Sequence, residues 1–442
     1  MASAAPRFSI VIASYNSERW IVTTVRSVLA QTWRDYEIIV VGDGCTDATG
    51  DLLKTHFGDD VAWVNLPQNS GGQSYPNNEG IRRARGSHVA YLGHDDIWSP
   101  SHLSRMAAVV ATSDPDFVVS GAICHGPPGS RYYHTTGLFD DPAAAATDFF
   151  PPSSFAHRRD VAERLGGWKH PTQLHAPADC DFLMRAVESG CTFASTGAIT
   201  VHKFAAGHRY LSYRFPSNDE QSRMLARLAA PDGDEAVCRE VREDIATGAD
   251  NLPLRYYDFK AFGAGDIYRD LRRAKGLEKA PPRVVDAPAW LPVSDGPAAL
   301  DWHDIETNPL LGTFRWSGPN PNPRYLVNVR LPSPAMLSIH ALAVASPDLL
   351  AALRVEIDER EVAFDAVRDA RGSHVLRLAD PVGPTEDGLV ITFRMPRCER
   401  MAHDPRRRRV GIALRGIEVI PLGARASAAD SPNVGNGAPG GF

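Results

Sequence analysis

The sequence predicts an α/β domain on a largely parallel sheet, then a helical segment, then an all-β domain. Three observations carry this. Short β-branched runs at residues 8–12, 37–41 and 61–65 alternate with amphipathic helical stretches, the pattern of strands buried on both faces of a parallel sheet. Residues 219–228, 234–245 and 264–273 keep a helical period with no strand between them. After residue 301 the period falls to two, in short runs separated by Pro, Gly and Asp, which predicts a β-sandwich or jelly-roll-like domain.

Composition narrows the function. A chain of 442 residues that is 43% hydrophobic can bury more than one core. A net charge of −6 gives no global drive toward nucleic acid or an anionic membrane, so no nucleic-acid partner is expected. The six cysteines (Cys45, Cys124, Cys180, Cys191, Cys238, Cys398) form no CxxC pair, which argues for reduced thiols in a cytosolic compartment. Residue 8 enters a strand with no basic and apolar leader before it. The longest apolar region, 334–353, is interrupted by Ser338, His340, Pro347 and Asp348, so no transmembrane segment is expected.

Taken in order, the first strand ends at Ala13-Ser14-Tyr15-Asn16, and Asn16 or Ser17 can cap a helix whose apolar face is Trp20, Ile21, Val25, Val28 and Leu29. The second strand runs into Gly42-Asp43-Gly44-Cys45-Thr46-Asp47. Asp43 there can accept a hydrogen bond from a nucleobase or ribose, or can serve as a plain turn residue. A third strand and the loop 67–77 lead through a helix at 78–85 into RGSHVAYLGHDDIWSP, residues 85–100. Its apolar run ends in Asp95 and Asp96, at the carboxyl end of a strand, where α/β sheets bind ligands. Adjacent carboxylates suit a hard cation, Mg²⁺ or Mn²⁺, that also takes phosphate oxygens of a nucleoside diphosphate. The alternative is a turn in which Asp96 caps the helix near Pro100. Residues 103–112 read as a helix, 117–123 as a strand that is antiparallel or at an edge, and 125–150 as a loop insert facing the acceptor.

Four segments then stand in a telling order: FSIVIASYNSERWIVTTVRSVLAQTW, VGDGCTDAT, NEGIRRARGSHVAYLGHDDIWSP, and Gly166-Gly167-Trp168 followed by ADCDFLMR at 178–185. Together they resemble glycosyltransferase family 2, nucleotide-sugar enzymes with a GT-A fold, over residues 7–205. The chain departs from the family pattern at Asn77, where an Arg is usual, at Gly93, where the first acid of an LDxDD run is common, and at Ala178, where a Glu is usual. The resemblance implies that Ala13, Ser14, Tyr15, Asp43, Asn78 and Asp95 hold the nucleotide and donor. It implies that Asp96, in the shortened DXD-like run, binds Mn²⁺ or Mg²⁺, with His202 completing the shell and Asp95 sharing the metal or holding the ribose. The two acids can exchange roles. Asp179 is implied as general base, a role suited to a carboxylate beside the incoming hydroxyl, with Gly167, Trp168 and Asp181 on the acceptor side. An N-cap for Asp179 and an ordinary strand-end position for His202 are the plainer alternatives. His208, Arg209, Tyr210 and Arg214 form a basic, aromatic segment, either a lid over the pyrophosphate or a connector.

The remaining chain carries less chemistry. Residues 1–215 are expected to form the GT-A domain, 216–280 a helical brace or self-association element, 281–300 a Pro-rich linker, 301–422 the β-sandwich and 423–442 a disordered tail. Trp302 and Trp316 can stack on sugar rings or pack internally, and Arg406 to Arg409 make a dense positive run. The implied activity is metal-dependent, inverting sugar transfer from a nucleoside diphosphate sugar, UDP favoured, to a hydroxyl of a glycan or lipid-linked glycan. The expected setting is polysaccharide or cell-envelope synthesis in the cytoplasm, with peripheral contact at the inner membrane face and homo-oligomers both compatible. The alternative is a catalytically degenerate protein that binds glycan through the β-sandwich, a reading fed by Asn77, Gly93 and Ala178. A sugar nucleotidyltransferase would need a Gly-rich, basic loop after the first strand, which residues 13–16 lack.

Overall fold

The computed structural model describes residues 5–126, 133–141, 150–204, 211–247, 262–278, 281–295, 302–309, 311–318, 320–400 and 408–422. It divides into two compact units, residues 1–279 with 298–301, and residues 280–297 with 302–442.

The first unit is a GT-A-like mixed sheet flanked by helices. Strands β1 (Phe8–Ser14), β2 (Tyr36–Gly42), β3 (Ala62–Asn65) and β4 (His88–Tyr91) are parallel, in the order β3-β2-β1-β4. The sheet continues through β8 (Phe155–Arg158), β6 (Phe117–His125), β9 (Phe193–Lys203) and β5 (Ile97–Trp98), while β7 (Tyr133–Thr136) pairs with β6. Strand β8 is antiparallel to both neighbours, β6 and β9 are parallel, and β5 is antiparallel to β9. Residues 117–123 were expected to be antiparallel or at an edge; β6 is antiparallel to β8 and β7 and is not an edge but an interior strand, buried along all but its last residue, because its apolar side chains pack on both sheet faces.

Strand alternation sends side chains to two cores. Phe8, Ile10, Ile12, Ile38 and Val40 meet helices α1 (Ile21–Leu29), α2 (Thr49–Phe57) and α4 (His102–Ser113) on one face. Val11, Ile39, Val41, Val89 and Tyr91 meet the other face, covered by α3 (Ser74–Arg83), α5 (Arg159–Arg164) and α6 (Ala178–Glu188). Gly80 lets α3 approach β1, for a Cβ there would lie 2.3 Å from Val11 Cγ1. Helices α7 (Asp219–Leu228) and α8 (Gly233–Thr247) bury Leu228, Val237 and Val241 against Ile97, Ile123 and Ile199 at the far end of the sheet. Helix α9 (Asp266–Lys275) packs by the 3-10 turn Pro171–Gln173. Among the described residues no helix is long and apolar enough to cross a membrane, and all six cysteines are free thiols.

The second unit is all-β. A seven-stranded, largely antiparallel sheet runs from Trp302–Asn308 through Gly312–Ser317, Ile412–Pro421 and Ala335–Val344 to His374–Leu378 and Phe364–Arg368. A four-stranded sheet orders Arg324–Val327, Leu389–Arg394, Arg354–Ile357 and Arg360–Val362. The indole of Trp302 on the first sheet meets Tyr325 and Phe393 of the second at 5.6 and 5.9 Å between ring centroids, which sets the sheets face to face. Both tryptophans weighed as sugar platforms are buried, Trp302 in this packing and Trp316 in a separate cluster with Phe314, Val410 and Ala413. The segment expected as a Pro-rich linker supplies two strands of this unit instead. Arg283–Val284 pairs with Val329–Arg330, and Ala289–Pro292 pairs with the strand ending at Pro421, as prolines permit at edges. Arg408 pairs with Glu306, while Arg406, Arg407 and the tail at 423–442 lie outside the described residues.

The first unit also buries histidines. His102 stacks on Trp98 at 4.1 Å and shares a hydrogen bond with Thr200 Oγ1, and burial lowers its pKa to about 3. Burial lowers His157 and His202 to about 4 each. A histidine whose folded pKa lies below its unfolded value of about 6.5 stabilises the fold above pH 6.5, and that stability is lost as pH falls toward the folded pKa, at about 1.4 kcal/mol per pH unit per group. Urea denaturation between pH 7 and pH 5 should therefore show stability falling with acidification, and His102→Gln should flatten that slope by about one group's share.

Candidate active site

At the carboxyl ends of β1 and β2 the two turns are tied together. Asn16, in the left-handed region at φ 43°, accepts the Thr46 N–H at 2.9 Å, and the Asp43 N–H donates to the Ser14 carbonyl at 2.7 Å. The Ala13 carbonyl and the His94 Nδ1 are 3.1 Å apart, and His94 Nε2 bonds the Tyr213 hydroxyl at 2.8 Å. Tyr15 stands partly exposed on the first of these turns. Asp43 is buried and fastens the next loop, its two carboxylate oxygens accepting the Ser70 and Gly71 N–H groups at 2.9 and 3.1 Å. From its other side that loop is held by α9, through Tyr268 and Arg272 on the Gly71 carbonyl at 2.8 and 2.7 Å.

Asp96 lies at the centre of the site and is fully buried. Its Oδ2 accepts Ser153 Oγ at 2.6 Å and Lys203 Nζ at 3.2 Å, and its Oδ1 accepts the Phe204 N–H at 3.1 Å. Ser153 also receives the Gly93 N–H at 3.0 Å. Gly93 has no room for more: a Cβ there would lie 2.7 Å from Asp96 Oδ2 and 3.1 Å from Asp95 Oδ1. The missing first acid of the run is thus a packing requirement of the other two.

Charges of both signs meet around this carboxylate. Burial works to raise the pKa of Asp95, but His94, Lys203 and Lys275 outweigh it and hold the carboxyl below its ordinary range. Burial, relieved by Lys203 and reinforced by the charge of Asp95, raises Asp96. Burial disfavours the Lys203 ammonium, yet Asp96 and Asp95 prevail and its pKa rises. Lys275, at the end of α9, feels Asp95, Asp179 and Asp96, although burial keeps its pKa lowered. Asp179 stands in the first turn of α6, whose N-cap is Pro177, so it is not the cap. Its Oδ1 accepts the Cys180 N–H at 3.1 Å, and burial raises its pKa against the pull of Lys203 and Lys275.

Several expected site residues have other roles. Asn78 donates to the Trp168 carbonyl at 2.8 Å and accepts the Trp168 N–H at 2.9 Å, so its amide clamps the Gly166-Gly167-Trp168 turn and does not face a donor. Gly167 is needed there at φ 70°, with Asn78 Oδ1 2.8 Å from where its Cβ would be. Trp168 is buried, stacked on Phe182 at 4.6 Å, and does not offer a ring to an acceptor. Asp181 pairs with Arg185, which in turn donates to the Gly167 carbonyl.

The expected metal set does not assemble. On β9 successive side chains leave on opposite faces, so Lys203 meets Asp96 while His202 turns away to His125, 3.2 Å between ring nitrogens, and feels Asp234 and Arg227 of the helical segment. Both Asp96 oxygens are already engaged by protein donors. Among the described residues no group of three or more His, Cys, Asp or Glu side chains is arranged to hold a metal ion. The Mn²⁺ or Mg²⁺ site implied for Asp96 and His202 therefore does not fit. Sequence reading missed Lys203 and Lys275. The period-two alternation past Val201 held the signal for Lys203; Lys275 lies 180 residues beyond Asp95 and left none. Of the basic segment weighed as a lid, Arg214 packs over Phe215, and His208, Arg209 and Tyr210 lie outside the described residues.

Residues 9–166 match the sequence model of the family described as Glycosyl transferase family 2. This stretch is a family 2 glycosyltransferase domain. An uncharacterized glycosyltransferase of Nostoc sp. (strain PCC 7120) is 33% identical over 174 residues, which is 36% of this chain and 53% of the relative. A glycosyltransferase of Streptococcus pneumoniae serotype 4 is 30% identical over 131 residues, 29% of this chain and 44% of the relative. The chain thus spans about half the length of these relatives, or less. The crystal structure of S. aureus TarS matches at 15% identity with a TM-score of 0.38, over 84% of this chain and 72% of that one.

If Gly93 is required by the packing of Asp95 and Asp96, restoring the usual acid should harm the domain. Gly93→Asp is expected to cost about 1–3 kcal/mol of stability, seen as a lower melting temperature, with no gain in Mn²⁺ affinity by calorimetry.

Proposed function

We propose that the first unit transfers a sugar from a nucleoside diphosphate sugar to a hydroxyl, with Asp179 as general base and inversion at the anomeric carbon. The observation that carries this reading is the buried Asp96–Lys203 pair, 3.2 Å apart beside Asp95 past the strand end of a family 2 domain, whose charges Asp179 and Lys275 also feel. The nucleotide lies across the tied turns of β1 and β2, contacting the Ala13-Ser14-Tyr15 backbone and the loop that Asp43 fastens; the nucleotide favoured by family resemblance is UDP. Asp95 faces the ribose or the diphosphate. In a single displacement the acceptor oxygen bonds the anomeric carbon, its proton passes to an Asp179 oxygen, and the bond to the diphosphate breaks with the electron pair leaving on phosphate oxygen. A base with a raised pKa takes that proton more readily than an ordinary carboxylate. The acceptor is a glycan or lipid-linked glycan, reached at the cytoplasmic face of a membrane, in polysaccharide or envelope synthesis.

Slow hydrolysis of nucleotide sugars without acceptor is the first test. One donor of a UDP, GDP and dTDP panel should be turned over, and Asp179→Asn should lower kcat by about 100-fold or more, as loss of a general base does. Because the base must be ionised, kcat/KM should rise with pH through an ionisation above the ordinary carboxylate range, and the step should vanish in Asp179→Asn. Silence across the panel, with no nucleotide bound in calorimetry, would leave the glycan-binding alternative standing.

A further inference from the structure

A divalent cation in a site of this kind acts by meeting the negative charge that builds on the departing diphosphate. The first unit already holds two lysines whose charges Asp95 and Asp96 feel. Lys203 Nζ spends one hydrogen bond on Asp96 Oδ2 at 3.2 Å, and an ammonium has three donors. The Lys203 side chain is 23% exposed while Asp96 is fully buried, so the pair lies at the edge of the buried interior with the lysine as its outer member. Lys275, at the end of α9, feels the charges of the same acids, and its backbone is held in place. The Leu211 N–H donates to the Ala274 carbonyl at 2.7 Å and the Tyr213 N–H to the Lys275 carbonyl at 3.0 Å, while Tyr213 bonds His94 beside Asp95.

The acids, for their part, are arranged to hold these lysines. Ser153, Phe204 and Lys203 occupy the Asp96 oxygens, and the space of a third acid is closed at Gly93. A divalent ion on Asp96 would have to displace an ammonium from a buried carboxylate and then sit beside it against like-charge repulsion. Lysine binds phosphate as a compact point charge and needs no fork geometry.

We infer that Lys203 and Lys275 bind the donor's diphosphate in place of a divalent cation, so that nucleotide binding and sugar transfer proceed without metal. This rests on the transferase reading above and deepens it. Lys203 is set by Asp96, which acts as a positioning residue, and Lys275 comes from the end of α9. The site therefore takes a nucleoside diphosphate whose phosphates meet two ammonium groups.

Calorimetry on the full chain decides it, with UDP, GDP and dTDP each titrated in EDTA and again in Mn²⁺. One of the three should bind in EDTA, with Mn²⁺ changing its Kd by less than about threefold. Lys275→Met should weaken that metal-free binding by about tenfold or more, the share of a hydrogen bond to a charged group, and Lys275→Arg should retain most of it. Donor hydrolysis should likewise persist in EDTA. Lys203→Met leaves Asp96 buried without its ammonium and can fail to fold, so the metal comparison on the unaltered chain and the Lys275 pair carry the test. Binding that appears only with Mn²⁺, or tightens about tenfold with it, overturns the inference and leaves the transferase reading intact. An unchanged Kd in Lys275→Met overturns the role of that lysine. No binding of any nucleotide, with or without metal, removes both readings together.

Discussion

The buried carboxylate of Asp96 is the constraint on which the site depends. An acid wholly removed from water is tolerated only if its oxygens are filled and its charge is met, and two distant segments supply that: Ser153 before β8, and Lys203 at the end of β9 with the Phe204 backbone just after it. Their convergence fixes the turn after β4 against the strands at the opposite end of the sheet. It also explains two residues beside it. Gly93 has no side chain because the space over it is filled by the two carboxylates, and Asp95, itself buried, is attracted by His94, Lys203 and Lys275.

Around this centre, side chains of the kind that bind ligands elsewhere serve to hold loops. Asp43 fastens residues 70 and 71, Asn78 fastens the backbone of Trp168, and Arg185 with Asp181 braces the same turn from α6. A polar side chain that bonds backbone at both ends of a gap stiffens the loop and leaves backbone groups, not itself, facing outward. Such preorganisation matters for transfer chemistry, because donors and charges that are already oriented need no rearrangement as the bond breaks. Helix α9 takes part in the same way, binding the Gly71 carbonyl from outside and presenting Lys275 from its end.

How much of this was legible beforehand differs between fold and site. The parallel core was legible because continuous β-branched runs such as residues 8–12 and 37–41 fit only strands covered on both faces, and the later alternating runs fit only sheets. The interior place of β6 was not, since a strand's neighbours are chosen by pairing partners more than 30 residues away, here β8 and β9. Strand pairing likewise claimed residues 283–284 and 289–292, whose prolines read locally as a linker.

The sequence by itself determined the family 2 domain and the acids at its strand ends, because those motifs are contiguous and each is set by local backbone geometry. Only the tertiary structure decided what each acid faces. His202 and Lys203 are neighbours in sequence, and strand alternation sent the histidine to His125 and the lysine to Asp96. Lys275 joined them from a helix with no motif of its own, because charge acts through space and the chain between them leaves no local trace of where it will return.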